Sequence, residues 1–326
     1  MNVQAKVKAH TNIALIKYWG KRNEQLFLPT NNSISITLDR FYTTTSVTFQ
    51  EGLTADQFML DGKEIQGMEL QKIKTFLDLI RNKANKQLFA IVESVNNVPT
   101  AAGFASSASG YAALAAAASK AIGLNLNEEE LSIIARQGSG SASRSVYGGY
   151  VEWQKGEKED GTDSYATQIM PADKWDLSIL SVMVEAKEKK VLSREGMKRT
   201  VNTSSFYQAW LDTIDEDLIA ARQGIKNRDF ELLGTVLERN ALKMHATTLA
   251  SNPPFLYWTG ATVDVMHEVE ALREEGILSY FTIDAGPNVK VICQPKDETI
   301  VKERLEQLNC VQQIFVCHPG PGVEYL

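Results

Sequence analysis

Apolar and polar residues alternate from the start of the chain. Val3, Ala5, Val7 and Ala9 fall on one side and predict a half-buried strand. SISITL (33–38) and TTTSVTF (43–49) repeat that period, as does LFAIVES (88–94). Between them Leu70, Ile73, Leu77 and Ile80 recur at helical spacing. Tyr111 to Ile122 is alanine-rich and predicts a helix that stops at Gly123; NEEELSIIARQ (127–137) predicts another, with Asn127 as its N-cap. GGYVEW (148–153) and LSILSVMVEA (177–186) read as strands. Thr203 to about Leu249 is mostly helical with a break near 224–229, and Val263 to Glu275 is helical up to Gly276. SYFTIDAG and VKVICQ then read as strands, ETIVKERLEQL as a helix and VQQIFVC as a strand. The elements mix without a regular βαβ repeat, which predicts an α+β fold. The charged stretch EAKEKK (185–190) suggests two lobes, 1–187 and 188–326.

One stretch breaks the periodic pattern. PTAAGFASSASGYAALAAAASKAIG (99–123) holds eleven alanines and four serines. Small side chains let a helix pack closely, and they also let backbone N–H groups at a helix N-terminus approach a phosphate. The stretch lacks the Gly-Lys-Ser/Thr of a Walker A loop, and taken alone it leaves both readings open. RQGSGSASRSVYGGY (136–150) is again rich in Gly and Ser and adds Arg136 and Arg144. Two such loops favour two anionic ligands or one long one.

Composition narrows the classes. At 326 residues the chain is long enough for one large or two intimate lobes, and its 44% hydrophobic and 23% charged content is ordinary for a globular protein. The net charge of −6 argues against a nucleic-acid partner, so cations that hold an anion must be clustered locally. Cys293, Cys310 and Cys317 are odd in number and match no zinc spacing, which suits reduced thiols in a cytoplasmic protein. The N-terminal MNVQAKVKAH lacks the apolar core of a signal peptide, and no segment approaches the ~20 apolar residues of a membrane span. His10, His245, His267 and His318 form no metal-ligand pattern, and His245, beside Met244 in a helical run, reads as a packed or capping histidine.

PTAAGFASSASG resembles the phosphate-binding motif of the GHMP kinase superfamily, with Phe104 where leucine is usual. More narrowly, HTNIALIKYWGKRNEQLFLPTNNSISITL (10–38), RQGSGSASRS (136–145) and TIDAGPNVK (282–290) together resemble the mevalonate diphosphate decarboxylases. The resemblance implies a two-lobed GHMP kinase-like α+β fold with the active site in the cleft between lobes. It implies ATP-dependent decarboxylation of mevalonate 5-diphosphate, with Mg²⁺, in a homodimer. A sibling kinase that stops at phosphorylation and an inactive ATP-sensing homologue are the alternatives. KYWGK and GSGSASR set the decarboxylases apart from the kinases, and intact Lys17, Arg144 and Asp284 speak against a dead copy.

The resemblance also implies roles. Gly103, Ala105, Ser106, Ser107 and Ala108 would hold the ATP phosphates, with Ser106 on Mg²⁺. Ser94 and Asn97 would line the nucleoside pocket, although both suit an ordinary strand end. Tyr18, Trp19, Gly20 and Lys21 would bind substrate. Ser139, Gly140, Ser141, Ala142 and Ser143 would cradle its diphosphate, with Lys72 and Arg194 as further phosphate contacts. Lys72 equally suits a solvated helix face. Arg144 would anchor the substrate carboxylate, Ser193 would position the substrate, and Lys17 would pair with Asp284 or touch the transferring phosphate. Asp284 would take the 3-hydroxyl proton; by residue type alone it reads as a turn aspartate before Ala-Gly-Pro.

Overall fold

The chain begins with a long strand, β1 (Val3–Ile16), whose far end leads directly into Lys17, the first of the expected site residues. The computed structural model describes residues 3–98, 106–184 and 190–326. After a small hairpin of β2 (Lys21–Asn23) and β3 (Leu28–Pro29), β4 (Ser33–Gln50) returns antiparallel to β1. The two separate β-rich runs expected here are one strand. Its register against β1 slips between His10 and Asn12, where Tyr42 gives way to Thr37 as partner. The slip lets β4 pair with different neighbours on either side of it. Tyr42–Gln50 pairs with β7 (Phe89–Asn97), and Ser33–Ile36 with β8 (Tyr150–Trp153), which carries β9 (Ala166–Met170). β5 (Gln57–Leu60) and β6 (Lys63–Glu64) extend the sheet beyond β7.

Three helices cover this sheet: α1 (Gly67–Ala84), α2 (Ser106–Ile122) and α3 (Glu128–Gly138). Ala112, Ala113 and Ala115 to Ala118 in α2 are fully buried in one core with Val7, Ala9, Val47 and Phe49 of β1 and β4. Their small side chains bring the helix axis close to the strands, so the packing reading of the alanine run holds for 112–122. The helix begins five residues before the expected Tyr111, at Ser106. Two of the four serines therefore open its first turn.

The second lobe is a four-stranded antiparallel sheet. Its order is β11 (Ser279–Thr282), β12 (Val289–Cys293), β10 (Ser178–Met183) and β13 (Gln313–Cys317). One face packs under α8 (Gly260–Glu274) and α9 (Glu298–Glu306), through Leu180, Val182, Phe281, Val265, Val269 and Val301. The other face, with Ile179 and Ile292, shares a core with helices α6 (Ile214–Asn227) and α7 (Phe230–Leu249). That core also contains Ile13, Leu15, Ile34, Ile36 and Leu38 of the first sheet. The helices α6 and α7 thus sit between the lobes and join them in one apolar body. α4 (Ser193–Thr203) and α5 (Tyr207–Asp212) precede them.

The division of strands differs from a simple cut in the sequence. β10 lies ahead of residue 187 yet runs through the middle of the second sheet. β14 (Glu324–Tyr325) comes last in the chain yet pairs with Val7 and Lys8 of β1. The expected boundary itself falls in 185–189, outside the described residues.

Candidate active site

β1 ends by delivering Lys17 into the space between lobes. The residue is 2% exposed. Its Nζ donates to the Ala14 carbonyl at 2.9 Å and to Asp284 Oδ1 at 2.8 Å. Asp284 follows β11 in the second lobe, and its carboxylate is 40% exposed toward the cleft. Each lobe thus contributes one member of the pair. Burial pulls the Lys17 pKa below the usual lysine range, and the Asp284 charge opposes that shift.

The pair lines a cavity of about 300 Å³. Among the described residues, Lys17, Lys21, Arg144 and Arg194 supply four cations to its wall, against Asp284 as the one carboxylate. An acidic chain has therefore built a locally positive site, suited to a highly charged anion. Arg144 is buried. Its guanidinium donates to Ser33 Oγ at 2.6 Å and to Asn12 Oδ1 at 3.2 Å, and it lies over the Trp153 ring. Burial brings its pKa down to about 10, with Asp284 opposing. These neutral partners fix the plane of the fork while leaving its charge for a ligand.

The first turn of α2 and the second Gly/Ser loop meet here. α3 ends at Gly138, Ser139 is extended, and a 3₁₀ turn covers Gly140–Val146. Ser107 Oγ lies 3.4 Å from Ser139 Oγ, which lies 3.4 Å from Ser141 Oγ. This serine row begins at the N-terminus of a 17-residue helix, where exposed N–H groups favour an anion. Gly140 is where it is because a Cβ would come within 2.9 Å of both Tyr18 and Trp153.

A second cavity of about 430 Å³ adjoins the first and shares Ser107 and Arg194 with it. Ser94, Asn96, Ser106, Tyr111, Glu69 and Lys72 are in its wall. Ser94, Ser106 and Ser107, which the resemblance assigns to ATP, all line it. Arg194 stands between the two, with its guanidinium over the Phe27 ring and 3.4 Å from the Gly138 carbonyl. Ser193, the first residue of α4, lines the first cavity.

Most expected residues gather in these walls: Lys17, Tyr18, Trp19, Lys21, Ser94, Ser106, Ser107, Ala108, Ser139, Gly140, Ser141, Arg144, Ser193, Arg194 and Asp284. Others are not where they were expected. Lys72 lies in the second cavity beside Ser94, not with the residues expected to bind diphosphate. Asn97 is off the wall because strand residues alternate faces; Asn96 lines the cavity, and the Asn97 amide donates to the Arg40 carbonyl at 3.3 Å. Ala142 and Ser143 are fully buried behind the loop, with Ser143 Oγ donating to the Gly140 carbonyl at 2.7 Å. Gly20 is likewise outside the wall; it packs on Tyr207. Gly103 and Ala105, with Phe104, fall outside the described residues.

Asn12 is the main residue that sequence reasoning missed. Its Nδ2 donates to the Ser141 carbonyl at 3.0 Å and to Ser145 Oγ at 2.7 Å, while Oδ1 receives Arg144. It ties β1, the serine loop and the arginine together. The only signal was a polar side chain amid an apolar strand, HTNIALI.

Comparison with known proteins bears on this geometry. A model described as the diphosphomevalonate decarboxylase-like N-terminal domain matches residues 9–166. A model described as the mevalonate 5-diphosphate decarboxylase C-terminal domain matches 179–318. A crystal structure of mevalonate diphosphate decarboxylase from Staphylococcus aureus is 49% identical with a TM-score of 0.95, covering 100% of this chain and 98% of that one. A complex of MDDEF with MVAPP, AMPPCP and magnesium is 48% identical, with a TM-score of 0.93 and 100% and 99% coverage. Diphosphomevalonate decarboxylase mvd1 of Aspergillus fumigatus is 39% identical over 319 residues, 91% of this chain and 78% of that protein.

Proposed function

The chain belongs to the mevalonate 5-diphosphate decarboxylase family, and from that membership we propose how its cleft divides the family's chemistry. The enzyme converts mevalonate 5-diphosphate and ATP to isopentenyl diphosphate, CO₂, ADP and phosphate, a step of isoprenoid biosynthesis. Its fold is the two-lobed α+β GHMP kinase fold. We take the lobes as 1–187 and 188–326, with β10 given to the second sheet and β14 returned to the first.

The first cavity takes mevalonate 5-diphosphate. Ser139 and Ser141, with Lys21 and Arg194, hold its diphosphate, and Arg144 holds the carboxylate through its planar fork. The second cavity takes the nucleoside of ATP, so that the triphosphate runs past Ser106 and Ser107 toward the shared wall. Asp284 accepts the proton of the 3-hydroxyl as its oxygen bonds to the γ-phosphorus and the bond to ADP breaks. Lys17 orients that carboxylate and offers its charge to the moving phosphate. The C3–O bond then breaks, with its electron pair leaving on phosphate. With the proton passed to the departing phosphate, Asp284 faces the positive charge at C3. The C1–C2 pair becomes the new double bond as CO₂ leaves.

The residues present fit Mg²⁺ brought in on ATP. Among the described residues no cluster of three His, Cys, Asp or Glu forms a metal cage, and Mg²⁺ needs none when phosphates and water supply its oxygens. Ser106, at the start of α2, would be its protein ligand; the ion when bound neutralises charge on the β- and γ-phosphates.

The same reading makes the enzyme a cytoplasmic homodimer. Cys293, Cys310 and Cys317 are all free thiols, which suits a reducing compartment. Among the described residues no helix is long and apolar enough to cross a membrane. Sedimentation of the purified chain reads the dimer directly.

The observation that carries the proposal is the 2.8 Å contact between Lys17 and Asp284 in a wall of four cations. An interaction made only in the transition state appears in kcat and not in KM. Asp284→Asn, nearly isosteric and uncharged, should lose about 10²-fold or more in kcat and leave both KM values within a few fold. ADP and CO₂ are counted together with mevalonate 5-diphosphate as substrate. A near-parental rate returns Asp284 to the role of a turn residue, and ADP without CO₂ in the parent enzyme points to a kinase.

A further inference from the structure

Lys17 and Asp284 come from different lobes, so something must set the distance between them. Lys17 is held by its backbone. Its N–H donates to Asn240 Oδ1 at 2.8 Å, and its carbonyl accepts from Asn31 Nδ2 at 2.8 Å. Asn240 lies on α7 and is fully buried. Its Nδ2 donates at 2.8 Å to Asp217 Oδ2, from α6, which is also fully buried. The Asp217 carboxylate in turn receives Arg239 at 2.8 Å and Lys243 at 2.6 Å.

We propose that Asn240, oriented by Asp217, is a positioning residue that places Lys17 on Asp284 for the chemical step. The proposal deepens the reading above and rests on its assignment of Lys17. An asparagine amide can point either way, but a carboxylate only accepts. Asp217 therefore claims the NH₂ end of Asn240 and turns the carbonyl end to the Lys17 N–H. Arg239 and Lys243 balance the buried charge, which keeps the carboxylate in place without drawing on the catalytic lysine.

The same helix also reaches the other member of the pair. Met244 lines the cavity, and His245 Nε2 lies 3.4 Å from the carbonyl of Ile283, the residue before Asp284. α7 thus touches the backbone at Lys17 and next to Asp284, and measures one against the other. A second clamp keeps the following segment in place: Tyr207 OH donates to the Trp19 carbonyl at 2.9 Å and lies 2.7 Å from Thr30 Oγ1. Lys17 is consequently fixed before any ligand arrives.

The test is a double-mutant cycle on the full-length enzyme. Asn240→Leu has similar volume and no acceptor for the Lys17 N–H. It should lower kcat by about 10- to 100-fold, the cost of an ångström-scale misplacement. Both KM values should stay within about threefold, because the groups that hold the ligands are untouched. In a Lys17→Ala background the same change should cost less than about twofold, since the side chain it positions is gone. Equal losses in the two backgrounds, or an unchanged kcat in folded Asn240→Leu, would overturn the proposal. Should Asn240→Leu not fold, Asp217→Asn runs the same cycle; it keeps the shape and one acceptor oxygen, and about 3- to 10-fold is expected. Lys17→Ala alone reads the underlying assignment. If it keeps the parental kcat, the role given to Lys17 fails; if it is slow but Asn240→Leu is additive, only the positioning role fails.

Discussion

Tyr18 carries a buried hydroxyl with no hydrogen-bond partner among the described residues, at the wall of the positive cavity. Burial pushes its pKa well above the ordinary tyrosine value, so it is a neutral donor. An unpaired buried hydroxyl costs stability, by about 1–3 kcal/mol, unless a ligand satisfies it. Tyr18→Phe should therefore leave the thermal midpoint of the free enzyme unchanged or higher. It should raise KM for mevalonate 5-diphosphate about 5- to 10-fold and leave that for ATP alone. A lower midpoint with unchanged KM would assign the hydroxyl to the fold. His245 makes a different forecast. It is fully buried, and burial first, then the nearby Lys17 charge, lowers its pKa to about 4. Between pH 6.5 and 4 the unfolded chain binds a proton that the native one refuses. This contribution is present above pH 6.5 and is lost as pH falls toward 4, by roughly 3 kcal/mol. Urea midpoints at pH 7.5 and 4.5 should show the slope, and His245→Phe should flatten it. An equal slope in that variant would place the titration elsewhere.

At the scale of elements, the legible ones announce themselves by caps and period. Asn127 accepts from the Glu130 N–H at 2.8 Å, and Glu130 Oε2 receives the Asn127 N–H at 3.2 Å, closing a capping box on α3. Asn127→Ala should cost about 1 kcal/mol, a fall of about 2 °C in thermal midpoint, with kcat unchanged. A loss of rate would mean that α3 steers the serine loop from its far end. α4 was not legible. SREGMKRTVNT offers only Met197 and Val201 as an apolar pair, and the helix buries Gly196, Met197 and Thr200. Its contacts are with groups that only the fold assembles, yet it carries Ser193 and Arg194 to the cleft. Gly20 marks the turn after β1. Its φ is +132°, and a Cβ would stand 1.8 Å from the Tyr207 hydroxyl. Gly20→Ala should destabilise the enzyme by more than about 2 kcal/mol, through both backbone and clash. Denaturant midpoints check this, and a change under 1 kcal/mol would show that the Tyr207 clamp can swing away.

For the whole molecule, the decisive feature is that two cavities adjoin and share Ser107 and Arg194. Ser141 belongs to the first cavity and Ser94 to the second. Ser141→Ala should raise KM for mevalonate 5-diphosphate about 5- to 10-fold and leave ATP little changed, and Ser94→Ala should do the reverse more weakly. Arg194→Ala should raise both. Ser107→Ala should lower kcat about tenfold or more, since on the proposed reading its hydroxyl, in both walls, is a donor placed for the transferring phosphate. Equal effects of Ser141→Ala on both ligands would merge the two pockets into one. The lobes themselves can hold this geometry because α6 and α7 are buried between the sheets in one core with residues of both.

The alternation of β1, the capped α3, the alanines of α2 and the Gly/Ser loop at 139–146 are short-range features, and the sequence by itself determined them. Helical and strand periods, caps and turn residues act over a few neighbours. The motifs at Lys17, Ser139 to Arg144 and Asp284 were visible for the same reason. Tertiary structure alone decided that Lys17 and Asp284, 267 residues apart, meet at 2.8 Å. It also decided that Lys72 faces the second cavity, that Asn96 and not Asn97 points inward, and that Asn12 braces Arg144. None of these follows from local pattern. Strand pairing sets which face of β7 looks into the cavity, and interlobe packing on α7 sets how close the two halves of the ion pair approach. Both are properties of burial shared between segments far apart in the chain.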